Sequence, residues 1–159
     1  MGKSPHPAFL NLRAAGEESD YRSDPILSWF VSEQIEEEAI GFGSVTRALL
    51  PMLRAFRLRQ ILLYSGHASR QEVLEHGAEL ADLDSLLSCS DIVTVQTSLT
   101  PRTHHLLNGA NLGLIRDGAL LLNVGRGELI DEQALIHHLK QNRFRTVLDV
   151  CAVEPLPAR

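Results

Sequence analysis

Residues 120–135 read LLLNVGRGELIDEQAL. A short apolar run, Ala119–Leu122, breaks into Asn123-Val124-Gly125-Arg126-Gly127, and an acidic, helix-starting phrase follows at once. Such a run, bounded by turn signals, predicts a buried strand. The strand cannot continue comfortably through two glycines with a charged arginine between them. Ile130-Asp131-Glu132-Gln133 then supplies an N-cap candidate at Asp131, with Ala134, Leu135 and Leu139 behind it. Arg126 is therefore expected on a tight turn at the carboxyl end of a buried strand. In open α/β sheets that edge is where ligands bind.

Outward from this stretch the same alternation recurs. Strands are predicted at AIGFG (39–43), QILLYS (60–65), AEL (78–80), DIVTVQT (91–97), ALLLNV (119–124) and FRTVLDV (144–150). Helices are predicted between them, at SVTRALLPMLRAF (44–56, interrupted by Pro51), ASRQEVLEHG (68–77), DLDSLLSCS (82–90), LNGANLGLI (107–115) and DEQALIHHLKQN (131–142). Strands alternating with helices predict an α/β fold, a doubly wound parallel sheet of Rossmann type. Residues 39–159 form the expected domain. Residues 1–38 form an atypical segment, partly disordered or helical, with Pro5, Pro7, Pro25, the polar run AAGEESDYRSD and one apolar island at Ile26–Val31.

Composition narrows the function. The chain has 159 residues, 44% hydrophobic and 22% charged, enough for one domain with a real core. Aromatics at 5% argue against a stacking surface for single-stranded nucleic acid. A net charge of -5 and a pI near 5.8 argue against a phosphate-backbone binder. Cys89 and Cys151 lie far apart without metal or redox spacing. No run approaches a membrane span and MGKSPHPAF lacks a signal-peptide core, so a cytoplasmic location is the expectation.

AIGFGSVTRALL supplies Gly41 and Gly43 of a G-x-G-x-x-G pattern, with Thr46 in the third place. The first glycine serves the tight turn, the second lets pyrophosphate approach, and the third allows close helix–strand packing. Thr46 is expected to crowd that packing. Glu36, Glu37 and Glu38 precede the loop, which leaves Ala39 and Ile40 as the residues fit for a central strand. The acidic residue that normally accepts the adenosine ribose hydroxyls is also missing. Ser65 stands at the end of ILLY, followed by Gly66, His67, Ala68, Ser69 and Arg70. His67 or Arg70 could meet a 2′-phosphate, or both could be plain loop residues, so NAD and NADP both stay open.

The second half, DIVTVQTSLTPRTHH through LDVCAVEPLP, resembles the nucleotide-binding domain of the D-isomer-specific 2-hydroxyacid dehydrogenases. That family carries LTPxT, NxxRGxxVDExAL and LDVxxxEPLP at these spacings, and the resemblance covers about residues 39–157. It implies hydride transfer between a nicotinamide cofactor and a 2-oxo or 2-hydroxy acid. It assigns Arg126 to the substrate carboxylate and carbonyl, a task suited to a guanidinium fork. Glu154 is implied as the partner that raises the pKa of a catalytic histidine, and Asp149 as a neighbour of the nicotinamide carboxamide. Thr97, Leu99 and Thr100 would line the cofactor, with Ser98 replacing the usual proline. Val124 and Gly125 would flank the nicotinamide, and Ser44 and Val45 would offer helix-terminal amides to pyrophosphate.

The resemblance also carries expectations of loss. The family's histidine lies in a proline-histidine loop beyond EPLP, and the sequence stops at Arg159. His104, His105, His137 and His138 are expected to be solvated or packed rather than catalytic. The substrate domain is expected to be missing, and the chain alone to be inactive. Dimer contacts would use segments replaced here, which leaves a homodimer open. Three readings follow: an enzyme-family nucleotide-binding domain, a corepressor-like cofactor-binding module, and an inert gene fragment.

Overall fold

The apolar runs form the strands that the alternation predicts. In the computed structural model, which describes residues 36–53, 56 and 58–153, the strands are β1 (Glu36–Ile40), β2 (Gln60–Tyr64), β3 (Glu79–Leu80), β4 (Ile92–Val95), β5 (Leu120–Asn123) and β6 (Arg145–Leu148). They make one sheet in the order β3-β2-β1-β4-β5-β6, parallel throughout. The connections hold helices α1 (Ser44–Leu53), α2 (Arg70–Glu75), α3 (Leu83–Cys89) and α4 (Glu132–Lys140). The order reverses between β1 and β4, the switch point of a doubly wound sheet. Among the described residues no helix is long and apolar enough to cross a membrane.

Two apolar clusters bracket the sheet. Leu50 and Leu53 of α1 and Val73 of α2 pack with Ile61 and Leu63 of β2. Leu86 and Leu87 of α3 and Leu135 of α4 pack with Ile40, Val93, Val95 and Leu121. A fully buried leucine of this kind contributes about 2 kcal/mol. Helices as short as α2 and α3 need that help, and they also need caps. Ser69 Oγ accepts from Glu72 N at 3.2 Å, Asp82 Oδ1 from Ser85 N at 2.8 Å, and Asp131 Oδ1 from Gln133 N at 3.0 Å.

The elements differ from expectation in places. β1 takes in Glu36, Glu37 and Glu38 as well as Ala39 and Ile40, paired with β2 on one side and β4 on the other. A ladder is made by backbone N–H and C=O groups, which glutamate carries like any other residue. Helix α1 runs through Pro51 to Leu53. The predicted helix at 107–115 shrinks to a 3₁₀ turn at Leu112–Leu114. Asparagine side chains compete with the helical ladder there. Asn111 Oδ1 accepts from Asn108 N at 2.8 Å, and Asn108 Oδ1 from Ala110 N at 2.9 Å. Arg143 then holds the segment's end, donating to Gly113 O and Ile115 O at 2.9 and 3.0 Å. The expectations for residues 1–35 and for Glu154 lie outside the described residues.

The GRG turn is wedged between neighbours. Asn123, fully buried, caps the end of β5. Its Oδ1 accepts from Gly125 N at 3.1 Å and its Nδ2 donates to Arg126 O at 2.9 Å. A Cβ on Gly125 would stand 2.8 Å from Leu129 Cδ1 and 3.2 Å from Thr97 O. A Cβ on Gly127 would overlap the backbone of Cys151 and Ala152 outright. Packing thus requires glycine at 127 and favours it at 125, and the arginine between them is the residue left facing out.

Unequal costs should follow. Gly127→Ala meets rigid backbone and should destabilise the fold by about 3 kcal/mol, whereas Gly125→Ala meets mainly a rotatable leucine tip and should cost about 1–2 kcal/mol. Urea unfolding checks this, and equal losses would contradict the wedge. A pH effect is expected at His138 on α4, whose ring stacks with Phe144 at 6.0 Å and whose Nδ1 has no hydrogen-bond partner among the described residues. Burial, then the charges of Arg143 and His137, hold its pKa below the usual 6.5. Protonation therefore favours the unfolded chain, so this stability is present above pH 6.5 and is lost as pH falls through the lower folded value. Melting temperatures at falling pH should drop less steeply for His138→Leu than for the parent.

Candidate nucleotide site at the switch point

The site begins where β1 ends. Gly41 follows Ile40 with φ +113°, a conformation that glycine adopts without strain. A Cβ here would stand 2.9 Å from both Cα and N of Thr97. Gly43 is the opposite case, since a Cβ there would meet nothing among the described residues within 4 Å. α1 starts at the next residue, with Arg47 N donating to Gly43 O at 3.0 Å. Ser44 and Val45 are exposed in its first turn, where amides lack intrahelical acceptors.

Thr46 does not crowd the packing. It is fully buried, and its Oγ1 donates to Gly41 O at 2.8 Å, with Gln96 Oε1 also at 3.1 Å. Gln96 in turn donates to Thr94 Oγ1 at 3.1 Å. The hydroxyl ties the helix to the glycine turn and to the end of β4. A buried hydrogen bond of this kind contributes about 1 kcal/mol, so a tie replaces the contact that a glycine would have made.

A cleft of about 650 Å³ opens at the carboxyl ends of β1, β2 and β4. Of the residues singled out from the sequence, Gly41, Gly43, Ser65, Thr97 and Thr100 line it, and His67 does so too. Arg70 does not; it begins α2. Ser65 Oγ accepts from His67 N at 3.3 Å and Ala68 N at 3.2 Å. The serine therefore shapes the β2–α2 turn, and its proton is left to donate. Past β4, Thr103 Oγ1 donates to Ser98 O at 2.7 Å and accepts from Thr100 N at 2.8 Å, which closes the loop bearing Leu99.

The remaining residues gather beside this cleft. Arg126 is exposed in extended backbone, and its Nη1 donates to Gly125 O at 2.8 Å. It borders a smaller cavity of about 340 Å³ with Glu128, Val150 and Cys151. Val124 is 47% exposed. Asp149, just past β6, donates its backbone N–H to Asn123 O at 3.0 Å. The two regions meet at Thr97, whose backbone faces both Gly41 and Gly125. Ser44 and Val45 line a separate shallow surface with Ala48 and Met52.

Several supporting residues escaped the sequence reading. Asn123 was legible in principle, as a polar residue closing an apolar strand. Gln96 and Thr103 were not, because their partners are set by the tertiary fold. Glu132 belongs with them, since its Oε1 accepts from Ala152 N at 2.7 Å and holds the strand-end segment behind Arg126.

This geometry has relatives. Residues 34–159 match the model of the D-isomer specific 2-hydroxyacid dehydrogenase, NAD binding domain. Glyoxylate reductase 1 of Saccharomyces cerevisiae is 35% identical over 117 residues, 73% of this chain and 33% of that protein. The apo-structure of D-lactate dehydrogenase from Escherichia coli superposes with TM-score 0.68 at 36% identity, covering 74% of this chain and 37% of that one. An NAD complexed form of a D-isomer specific 2-hydroxyacid dehydrogenase from Lactobacillus delbrueckii ssp. bulgaricus gives 0.69 at 26% identity, covering 79% and 40%. The chain thus spans about a third of the length of curated relatives it matches. Its sheet order, glycine turn and GRG turn are those of a nucleotide-binding domain, and the chain belongs to the D-isomer specific 2-hydroxyacid dehydrogenase family through that NAD binding domain.

Proposed function

We propose that this chain binds a nicotinamide dinucleotide, NAD or NADP, at the β1/β4 switch point, beside a 2-oxo or 2-hydroxy acid held by Arg126. The observation that carries the reading is the inequality of the two glycines. Both line the cleft, but Gly41 is packed against Thr97, whereas Gly43 is bare of neighbours among the described residues. Packing alone gives no reason for a bare second glycine; a pyrophosphate lying against the backbone does.

The residues fit the group. Gly43, Ser44 and Val45 offer amides at the positive end of α1 to a pyrophosphate. Thr97, Leu99, Thr100, Val124 and Gly125 wall the nicotinamide side, and Asp149 meets its carboxamide. A bound nicotinamide supplies the hydride donor or acceptor. Arg126 pairs with the substrate carboxylate and polarises its carbonyl, and Glu154 supports a proton donor.

Titration of the 159-residue chain with NADH, followed by cofactor fluorescence, tests the reading, with saturation expected at micromolar levels. Gly43→Asp puts a good N-cap residue, but also a negative charge, where pyrophosphate would lie. It should leave the melting temperature unchanged or raised and weaken NADH at least about tenfold. No saturable binding by the parent up to millimolar NADH would sink the proposal.

A further inference from the structure

The cleft carries a charged pair that the reading above leaves unused. Arg47 on α1 and Glu72 on α2 both line it. Arg47 Nη2 lies 2.7 Å from Glu72 Oε1, and the side chains are 38% and 39% exposed, so both can be reached from the cleft. The guanidinium carbon also lies 3.9 Å from the centre of the Phe42 ring. Phe42 stands between the two glycines of the turn, and its ring meets His76 edge-on at 5.2 Å. The cation is thus held at the glycine turn by an aromatic face and a carboxylate.

The same cleft is short of a carboxylate at the end of β2. Ser65 occupies that place, and its oxygen is taken up by the His67 and Ala68 amides. Among the described residues the acid lining the cleft is Glu72 instead, and it arrives already paired.

We infer that the Arg47–Glu72 pair selects between NAD and NADP, an inference that rests on the proposed nucleotide site. A 2′-phosphate beside β2 would find its cation in Arg47. To engage that cation it would have to lie beside the paired Glu72 carboxylate, whose charge already offsets that of Arg47 and opposes the phosphate's own. A ribose with a free 2′-hydroxyl leaves the pair intact. Glu72 therefore masks a phosphate-binding arginine, and the parent chain favours NADH over NADPH. Arg47 is the stronger candidate for this role than Arg70, which does not line the cleft.

The test is paired fluorescence titration with NADH and NADPH of the parent, Glu72→Gln and the double variant Arg47→Gln/Glu72→Gln, with melting temperatures to show that each is folded. Glu72→Gln should raise affinity for NADPH relative to NADH about tenfold, and the double variant should lose that gain. Parent preference for NADPH would overturn the inference. So would an equal shift for both cofactors, or a gain that survives in the double variant. If neither cofactor binds any of the chains, the nucleotide-site proposal itself falls, and the selector falls with it.

Discussion

The backbone of Thr97 is held between two glycines, and the nucleotide edge of the sheet depends on that contact. Gly41 approaches Thr97 from the end of β1, at 2.9 Å for an added Cβ, and Gly125 from the turn after β5, at a tight 3.2 Å. Three strand ends therefore converge on one peptide. The convergence brings the glycine turn, the β4 loop and the arginine turn into one neighbourhood. Interiors are close-packed, so even one added methyl group is felt. A side chain at Gly41 would press on the Thr97 backbone as well as strain its turn, and one at Gly125 would crowd Leu129 and the Thr97 carbonyl.

Given that contact, the rest of the edge is held by polar ties. Thr46 binds α1 to Gly41 and Gln96, Asn123 binds the arginine turn to β5, and Glu132 binds the segment after β6 to α4. Each tie joins elements far apart in sequence, or a strand to the turn that ends it. None adds much apolar area. Their effect is to fix where backbone amides and carbonyls point, which is what a bound dinucleotide would sense.

This division explains what the sequence made legible. Strands buried on both faces read as continuous apolar runs, so β4, buried at every position, and β5 stood out. The glutamates of β1 hid a strand because the ladder is indifferent to side-chain polarity. LNGANLGLI looked helical because apolar spacing was visible, while the Asn108 and Asn111 bonds that defeat the helix were not. At the site, glycines were legible as turns, and the residues of the glycine and arginine motifs could be named. The reason Gly127 must be glycine lies in Cys151 and Ala152, more than twenty positions away. Arg47 and Glu72 likewise sit on different helices, and no local pattern joins them.

Arg126 shows how rigidity is distributed. Its backbone is fixed from both sides, by Asn123 and by the packing of Gly125 and Gly127. Its guanidinium is exposed and, among the described residues, makes one hydrogen bond, to Gly125 O of its own turn. A guanidinium has five N–H donors, so most of its donors remain for other acceptors. Exchanging one exposed hydrogen bond costs about 1 kcal/mol or less, whereas moving the backbone would break the glycine packing at several times that cost. The scaffold therefore fixes where the cation is anchored and leaves its last bonds adjustable. That combination suits the role proposed for Arg126, pairing with a substrate carboxylate, because a fully tethered guanidinium would first have to be released.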